Sequence, residues 1–409
     1  SATTLVLVTC DVYKVQIDHI LRQSIGTDVP CKLEASEVKP AVDGIAGFLG
    51  EHLRIILYVE VEGEKKKVHL FLKRLPTRND AKAEYLRQNQ FFLREYLMFK
   101  LMEEICKSYI YTESLSVMPD LSVEGYRNKR WNEILDLEHV LLSTTSLARF
   151  HAAFVNYETN KSIQLKRPHN TFQEYGHVLT EGQFCVSDWL KTSFKVANFV
   201  KAFSTKSYRN LPNLESKLAK LNYEACDTLK PYKDTVNVII HKDLWVNNIL
   251  FKYENDVPVN AVLIDYQTLR YGPPVFDLMI FLYFTTDKLF RENKEIDILD
   301  HYYSVFIENL NDDSNKRIKD LDYDKDNFLN WCEKARMFGM VVSMAIYPFI
   351  LMDSKAAAKM FDDPETCNKM FNEDRTEPAL AYANICEVYK QRILSVSEEF
   401  IERYMVKEV

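Results

Sequence analysis

A chain of 409 residues with a net charge of −7, 47% hydrophobic and 27% charged, has the make-up of a soluble globular protein long enough for two domains. The acidic balance argues against a nucleic-acid partner, since phosphate backbones need clustered Lys and Arg. The eight cysteines are scattered with no C-x-x-C pair, which excludes a zinc ribbon or a dense disulfide framework and suits free thiols in a reducing cytosol.

The apolar run Thr3–Thr9 has no basic stretch ahead of it and is too short for a signal peptide. Residues 53–61 and 68–73 are rich in β-branched and apolar types and flank a turn at Glu62-Gly63-Glu64, predicting a β-hairpin. In its second strand Val68, Leu70 and Leu72 share a face, with His69, Phe71 and Lys73 on the other. From about 81 to 106 the period becomes helical, with Leu93, Leu97 and Leu101 in one stripe and Phe92, Tyr96 and Phe99 beside it. A break from Ser116 to Gly125 is the candidate hinge, giving an N-lobe over 1–117 and a C-lobe over 118–409.

Beyond the hinge, Leu137, Val140, Leu141, Thr144, Leu147, Ala148, His151 and Phe154 define a helical face. Two apolar strands are predicted at Val236–Ile240 and Val259–Ile264, with a turn at Asn255-Asp256. Helical patterns then run from Gly272-Pro273-Pro274 to the end. Met337–Met352 falls short of the roughly 20 residues of a membrane span and contains Pro348, so a buried helix and no membrane partner are expected. The outline is α+β, a protein-kinase-like two-lobe fold with a small β-rich N-lobe and a large, mostly α-helical C-lobe.

The chemistry concentrates in His241-Lys242-Asp243-Leu244-Trp245-Val246-Asn247-Asn248 and in Leu263-Ile264-Asp265-Tyr266. A His-x-Asp, an Asn five residues after the Asp, and an Asp ending an apolar run appear in the order in which kinases present a catalytic base and two magnesium ligands. Asp243 is the expected base, and Asn248 and Asp265 are the expected oxygen ligands for Mg2+. Lys73, ending a strand, takes the position of a phosphate-binding lysine, with Glu95 as its expected ion-pair partner and Glu84, Glu103 and Glu104 as rivals. Gly47 and Gly50 lie where a glycine loop would cover the ATP phosphates, although lone glycines more often mark a turn. His151 reads as a satisfied core histidine. Asp277 is expected to anchor the catalytic loop through backbone donors, and His241 to shape it.

These residues resemble the ecdysteroid kinase-like family of arthropods, relatives of choline kinase and aminoglycoside phosphotransferases. The resemblance rests on G-F-L-G-E-H, L-F-L-K-R-L-P at 70–76, L-A-R-F-H-A, H-K-D-L-W-V-N-N-I-L-F and V-L-I-D-Y-Q. It implies ATP- and Mg2+-dependent phosphorylation of a hydroxyl on a small-molecule alcohol, with ecdysteroids as the name-giving acceptors, in a cytoplasmic enzyme. The chain departs from the family in having Lys242 in place of a Gly, Tyr266 in place of a Phe, and Met118-Pro119-Asp120-Leu121 at the hinge in place of L-E-D-L. Lys242 is expected to point outward. Pro119 lacks the N–H that a purine would use. Asp265 is followed within a few residues by Gly272-Pro273-Pro274, and no A-P-E triplet occurs, which leaves little room for a protein kinase's activation loop. A choline-, ethanolamine- or aminoglycoside-type kinase and a catalytically silent ligand-binding protein on a kinase fold remain as alternatives.

Overall fold

In the strand Glu51–Val61 (β2), Leu53, Ile55, Leu57, Val59 and Val61 are buried and the residues between them are not, the period-two signature of a sheet with one covered face. The structure, a computed structural model, describes residues 11–26, 29–41, 50–76, 80–103, 108–180 and 195–406. Packing divides it into two units, Ser1–Tyr126 and Arg127–Val409.

The first unit holds helix α1 (Asp11–Ile25) and an antiparallel sheet of five strands in the order β1-β2-β3-β5-β4. The other strands are Cys31–Pro40 (β1), Glu64–Arg74 (β3), Ile110–Tyr111 (β4) and Leu115–Pro119 (β5). The buried face of β2 meets Leu70 and Leu72 of β3, Val117 of β5, and Ile20 and Leu21 of α1. Val61 pairs with Glu64, so the β2–β3 hairpin turns on Glu62 and Gly63 alone. Their φ values of 53° and 84° are those of a type I′ turn, whose twist matches the strands.

Three expectations need correction here. Sequence pattern did not reveal β1, because its pairing with β2 shifts register between Leu33 and Ala35 and the bulge breaks the alternation. The single helix expected from about 81 to 106 is two, α2 (Asp80–Gln88) and α3 (Phe91–Leu101). Gln90 adopts left-handed φ 56° between them, and Arg94 Nη1 donates to Asn89 O at 2.6 Å across the break. The break expected from Ser116 starts later, since Ser116–Pro119 belong to β5. Asp120 then turns the chain. Its Oδ1 accepts from Ser122 N and Oγ at 3.0 and 2.6 Å, and its Oδ2 lies 3.1 Å from Arg54 Nε.

The second unit opens with helix α4 (Leu137–Leu165), started by Asp136, whose carboxylate accepts from His139 N at 3.0 Å. Val140, Thr144, Leu147, Ala148, His151 and Phe154 are all buried on it. Strand β6 (Val238–Ile240) pairs with Arg270–Gly272 (β9) rather than flanking the predicted turn. The hairpin on Asn255-Asp256 is made by Ile249–Glu254 (β7) and Val257–Leu263 (β8). Helix α5 (Val275–Thr285) is buried at every residue. Helices α6 (Lys288–Glu308) and α7 (Lys325–Ile350) follow. A Cβ on Gly339 of α7 would lie 3.0 Å from the backbone of Met279, so glycine is what lets these two helices touch. All of Met337–Met352 except Met337 and Ile346 is buried, and among the described residues no single helix is long and apolar enough to cross a membrane. A small β-rich unit and a large, mostly helical one make up an α+β fold.

Candidate active site

In the first unit the site is built on β3 and α3. Strand alternation turns Leu70 and Leu72 to the core and Lys73 to the opposite face, where it is nonetheless only 3% exposed. A buried ammonium needs a partner. Lys73 Nζ lies 3.1 Å from Oε1 of Glu95, itself 3% exposed, and 5.6 Å from the centre of the Phe92 ring. Ser116, opposite Lys73 in the β3–β5 register, brings its Oγ to 3.5 Å from Glu95 Oε2. Only the paired strands reveal Ser116; no pattern in the sequence marks it. Gly50 packs on this lysine, its Cβ position 3.4 Å from Lys73 Cγ, an ordinary contact that alanine would also make. Gly47 lies outside the described residues. Of the other glutamate candidates, Glu84 bonds Arg87 and Gln88 on its own helix, Glu103 is exposed past the end of α3, and Glu104 lies outside the described residues.

In the second unit the site hangs on Asp277, fully buried in the first turn of α5. Its Oδ2 accepts from His241 N at 2.5 Å and its Oδ1 from Lys242 N at 2.6 Å. His151 Nε2 donates to Oδ2 at 3.0 Å, and its Nδ1 meets the Tyr302 hydroxyl at 2.6 Å. Both histidine nitrogens are therefore occupied inside the core. The carboxylate charge is spread over two backbone donors and an imidazole, all of which hold the start of the loop.

His241 is completely buried, and burial pushes its imidazole below its ordinary value, with the Asp277 carboxylate opposing. The neutral ring donates from Nε2 to Ile264 O at 2.9 Å and accepts the Asp243 N–H on Nδ1 at 3.3 Å. One side chain thus ties Asp243 to the residue before Asp265. Thr268 Oγ1 donates to His241 O at 2.8 Å, another contact with no sequence signal. Lys242, expected to point outward, is buried at 9% exposure and sits at φ 68°. A left-handed backbone is where glycine is least strained, so lysine is held here in a conformation that side chains rarely adopt.

Leu244, Trp245 and Val246 are buried and pin the loop, leaving Asp243 half-buried at its edge. Asn248 Nδ2 donates to Asp243 O at 2.7 Å and to Asp243 Oδ2 at 3.0 Å. Both amide protons are used on one residue, so the amide oxygen is the group left to act as an electron-pair donor. Asn248 O accepts from Ile264 N at 3.0 Å, and Asp265 follows in left-handed conformation, φ 67°, which aspartate tolerates. An amide oxygen and a carboxylate are the hard donors that Mg2+ takes, and Mg2+ normally completes its six ligands with water and phosphate oxygens. Among the described residues no group of three or more His, Cys, Asp or Glu forms a self-sufficient metal cage. The donor set fits an ion held jointly with a nucleotide. Hydrogen bonds thus join Asp243, Asn248 and Ile264, the residue before Asp265, in the second unit, and Lys73 pairs with Glu95 beside Gly50 in the first.

Comparison with known proteins adds the family. No curated protein matches the chain. Among solved structures, an ethanolamine kinase of Plasmodium vivax is similar at 11% identity over 93% of this chain and 89% of its own, with a TM-score of 0.43. The choline kinase LicA of Streptococcus pneumoniae is 13% identical over 82% of this chain and 99% of its own, with a TM-score of 0.33. A GDP complex of aminoglycoside 2'-phosphotransferase-IIIa is 11% identical over 96% and 99%, with a TM-score of 0.38. The model of the ecdysteroid kinase-like family matches residues 45–313, more than half of the chain and a stretch that includes every candidate residue named above. The chain belongs to the ecdysteroid kinase-like family.

Proposed function

We propose that the protein transfers the γ-phosphate of ATP to a hydroxyl of a small hydrophobic alcohol, an ecdysteroid or a compound of similar character. The observation that carries this reading is the Asp243–Asn248–Ile264 assembly, which presents a half-buried carboxylate and a free amide oxygen side by side within the family-matched stretch.

Phosphoryl transfer asks a protein mainly for positioning and charge. Asp243 is assigned the proton: it orients the acceptor hydroxyl and takes its hydrogen as the oxygen bonds to the γ-phosphorus and the bridge to ADP breaks. Asn248 Oδ1 and the Asp265 carboxylate are assigned to Mg2+, which would neutralise the phosphate oxygens. Lys73, held by Glu95, is assigned to the phosphates of ATP. Asp277 and His241 hold the loop in place and exchange no proton with the acceptor.

The acceptor class is tested by measuring ADP formed from ATP and Mg2+ over a panel containing ecdysteroids, other lipophilic alcohols, choline, ethanolamine and aminoglycosides. Turnover is expected with the lipophilic alcohols. Turnover confined to the cationic acceptors would transfer the enzyme to the choline or aminoglycoside type.

A further inference from the structure

We infer that Asn128 is a positioning residue for the magnesium-binding loop. This rests on the reading of Asn248 as a metal ligand. Asn128 lies one residue inside the second unit, in a stretch that no motif marks. Its side-chain Nδ2 donates to Asn247 O at 2.8 Å and to Ile249 O at 3.1 Å, across 119 and 121 residues of sequence. The two carbonyls belong to the residues on either side of Asn248.

The loop needs such a clamp for a physical reason. Val246–Asn248 is a single 3-10 turn, too short to fix its own position, and the carbonyls at the end of such a turn lack partners within it. Asn248 is itself held at three points, through its side chain on Asp243, its carbonyl on Ile264 N and its own N–H on Trp245 O. The peptide planes on both sides of it are also fixed within the turn, where Asn248 N donates to Trp245 O and Ile249 N to Val246 O. A primary amide has two protons in one plane, so Asn128 can hold the Asn247 and Ile249 carbonyls at once and tie the turn as a unit to its own stretch of chain. The movement it opposes is a shift of the whole turn, which would carry Asn248 Oδ1 away from a bound cation.

Being exposed, Asn128 contributes little to the core, and its replacement is expected to leave the fold intact. Asn128→Asp keeps the size but turns a donor into a carboxylate facing two carbonyl oxygens, so it is expected to behave as badly as Asn128→Ala. Outer contacts of this kind change metal affinity by about 10–100-fold.

The experiment titrates Mn2+, as a spin probe for Mg2+, into full-length protein with a non-hydrolysable ATP analogue, and reads free Mn2+ by electron paramagnetic resonance. Wild type is compared with Asn128→Ala, Asn128→Asp and Asn248→Ala, and with Asn293→Ala, whose amide bonds only Leu289 O on its own helix, as a surface control. Both Asn128 variants are expected to weaken Mn2+ binding about tenfold, with the unliganded melting temperature close to that of wild type and Asn293→Ala unchanged. If Asn248→Ala weakens Mn2+ and the Asn128 variants do not, the inference is overturned and the reading of Asn248 stands. A lowered melting temperature with unchanged Mn2+ affinity would likewise reduce Asn128 to a stability role and overturn it. If Asn248→Ala itself leaves Mn2+ affinity unchanged, the reading of Asn248 as a ligand fails first.

Discussion

Lys73 and Glu95 form an ion pair whose side chains are 4% and 3% exposed, and this is the residue-scale feature that most constrains the first unit. Removing one partner of such a pair leaves a buried charge deprived of its counter-ion, whereas removing both charges is often tolerated. Lys73→Met is therefore expected to destabilise the protein by about 3 kcal/mol in urea denaturation. The double variant Lys73→Met/Glu95→Gln is expected to recover most of that loss while remaining defective in ATP binding. Equal stability of the single variant and wild type would show that the pair is not held as described. The contrast with His241 is instructive. Its burial favours the neutral ring, and a neutral ring with one donor and one acceptor nitrogen is what the two backbone contacts from Ile264 and Asp243 require.

At the scale of elements, the β2–β3 hairpin turns on two residues that both have positive φ, yet the first of them is glutamate. Asparagine is the side chain that best tolerates that position of a type I′ turn. Glu62→Asn is expected to raise stability by about 0.5 kcal/mol, seen as a higher melting temperature; a fall would mean the turn is of another type. This hairpin was legible in the sequence because its alternation is unbroken and its Gly63 sits at the turn. Strand β1 was not, since its bulge reverses the inward face partway along. The gap between α2 and α3 was hidden for a different reason: apolar residues continue through Phe91 and Phe92, so composition does not change where Gln90 interrupts the helix. In the second unit, the turn Asn255-Asp256 was visible, but strand β7 was missed and Val236–Ile240 was read as the strand before that turn. The motif residues preceding it drew the segment into the catalytic loop, and pairing between distant stretches such as Val238–Ile240 and Arg270–Gly272 leaves no local mark.

At the scale of the whole molecule, the residues proposed to carry chemistry leave a plainer mark in the sequence than the scaffold that holds them. Asp243, Asn248 and Asp265 stand at the spacings of a kinase motif, and Asp277 was legible with them, whereas Ser116, Thr268 and Asn128 act through contacts that only folding creates. The central claim is that this assembly moves phosphate, with Asp243 as the base. Its most direct test is to quantify ADP and the phosphate ester of an accepted alcohol formed by wild type and by Asp243→Asn under saturating Mg2+ and ATP, with nucleotide binding measured alongside. Equal amounts of ADP and ester are expected from wild type, and a loss of a hundredfold or more in kcat from Asp243→Asn with ATP binding retained. An Asp243→Asn protein that forms the ester at the wild-type rate would contradict the account.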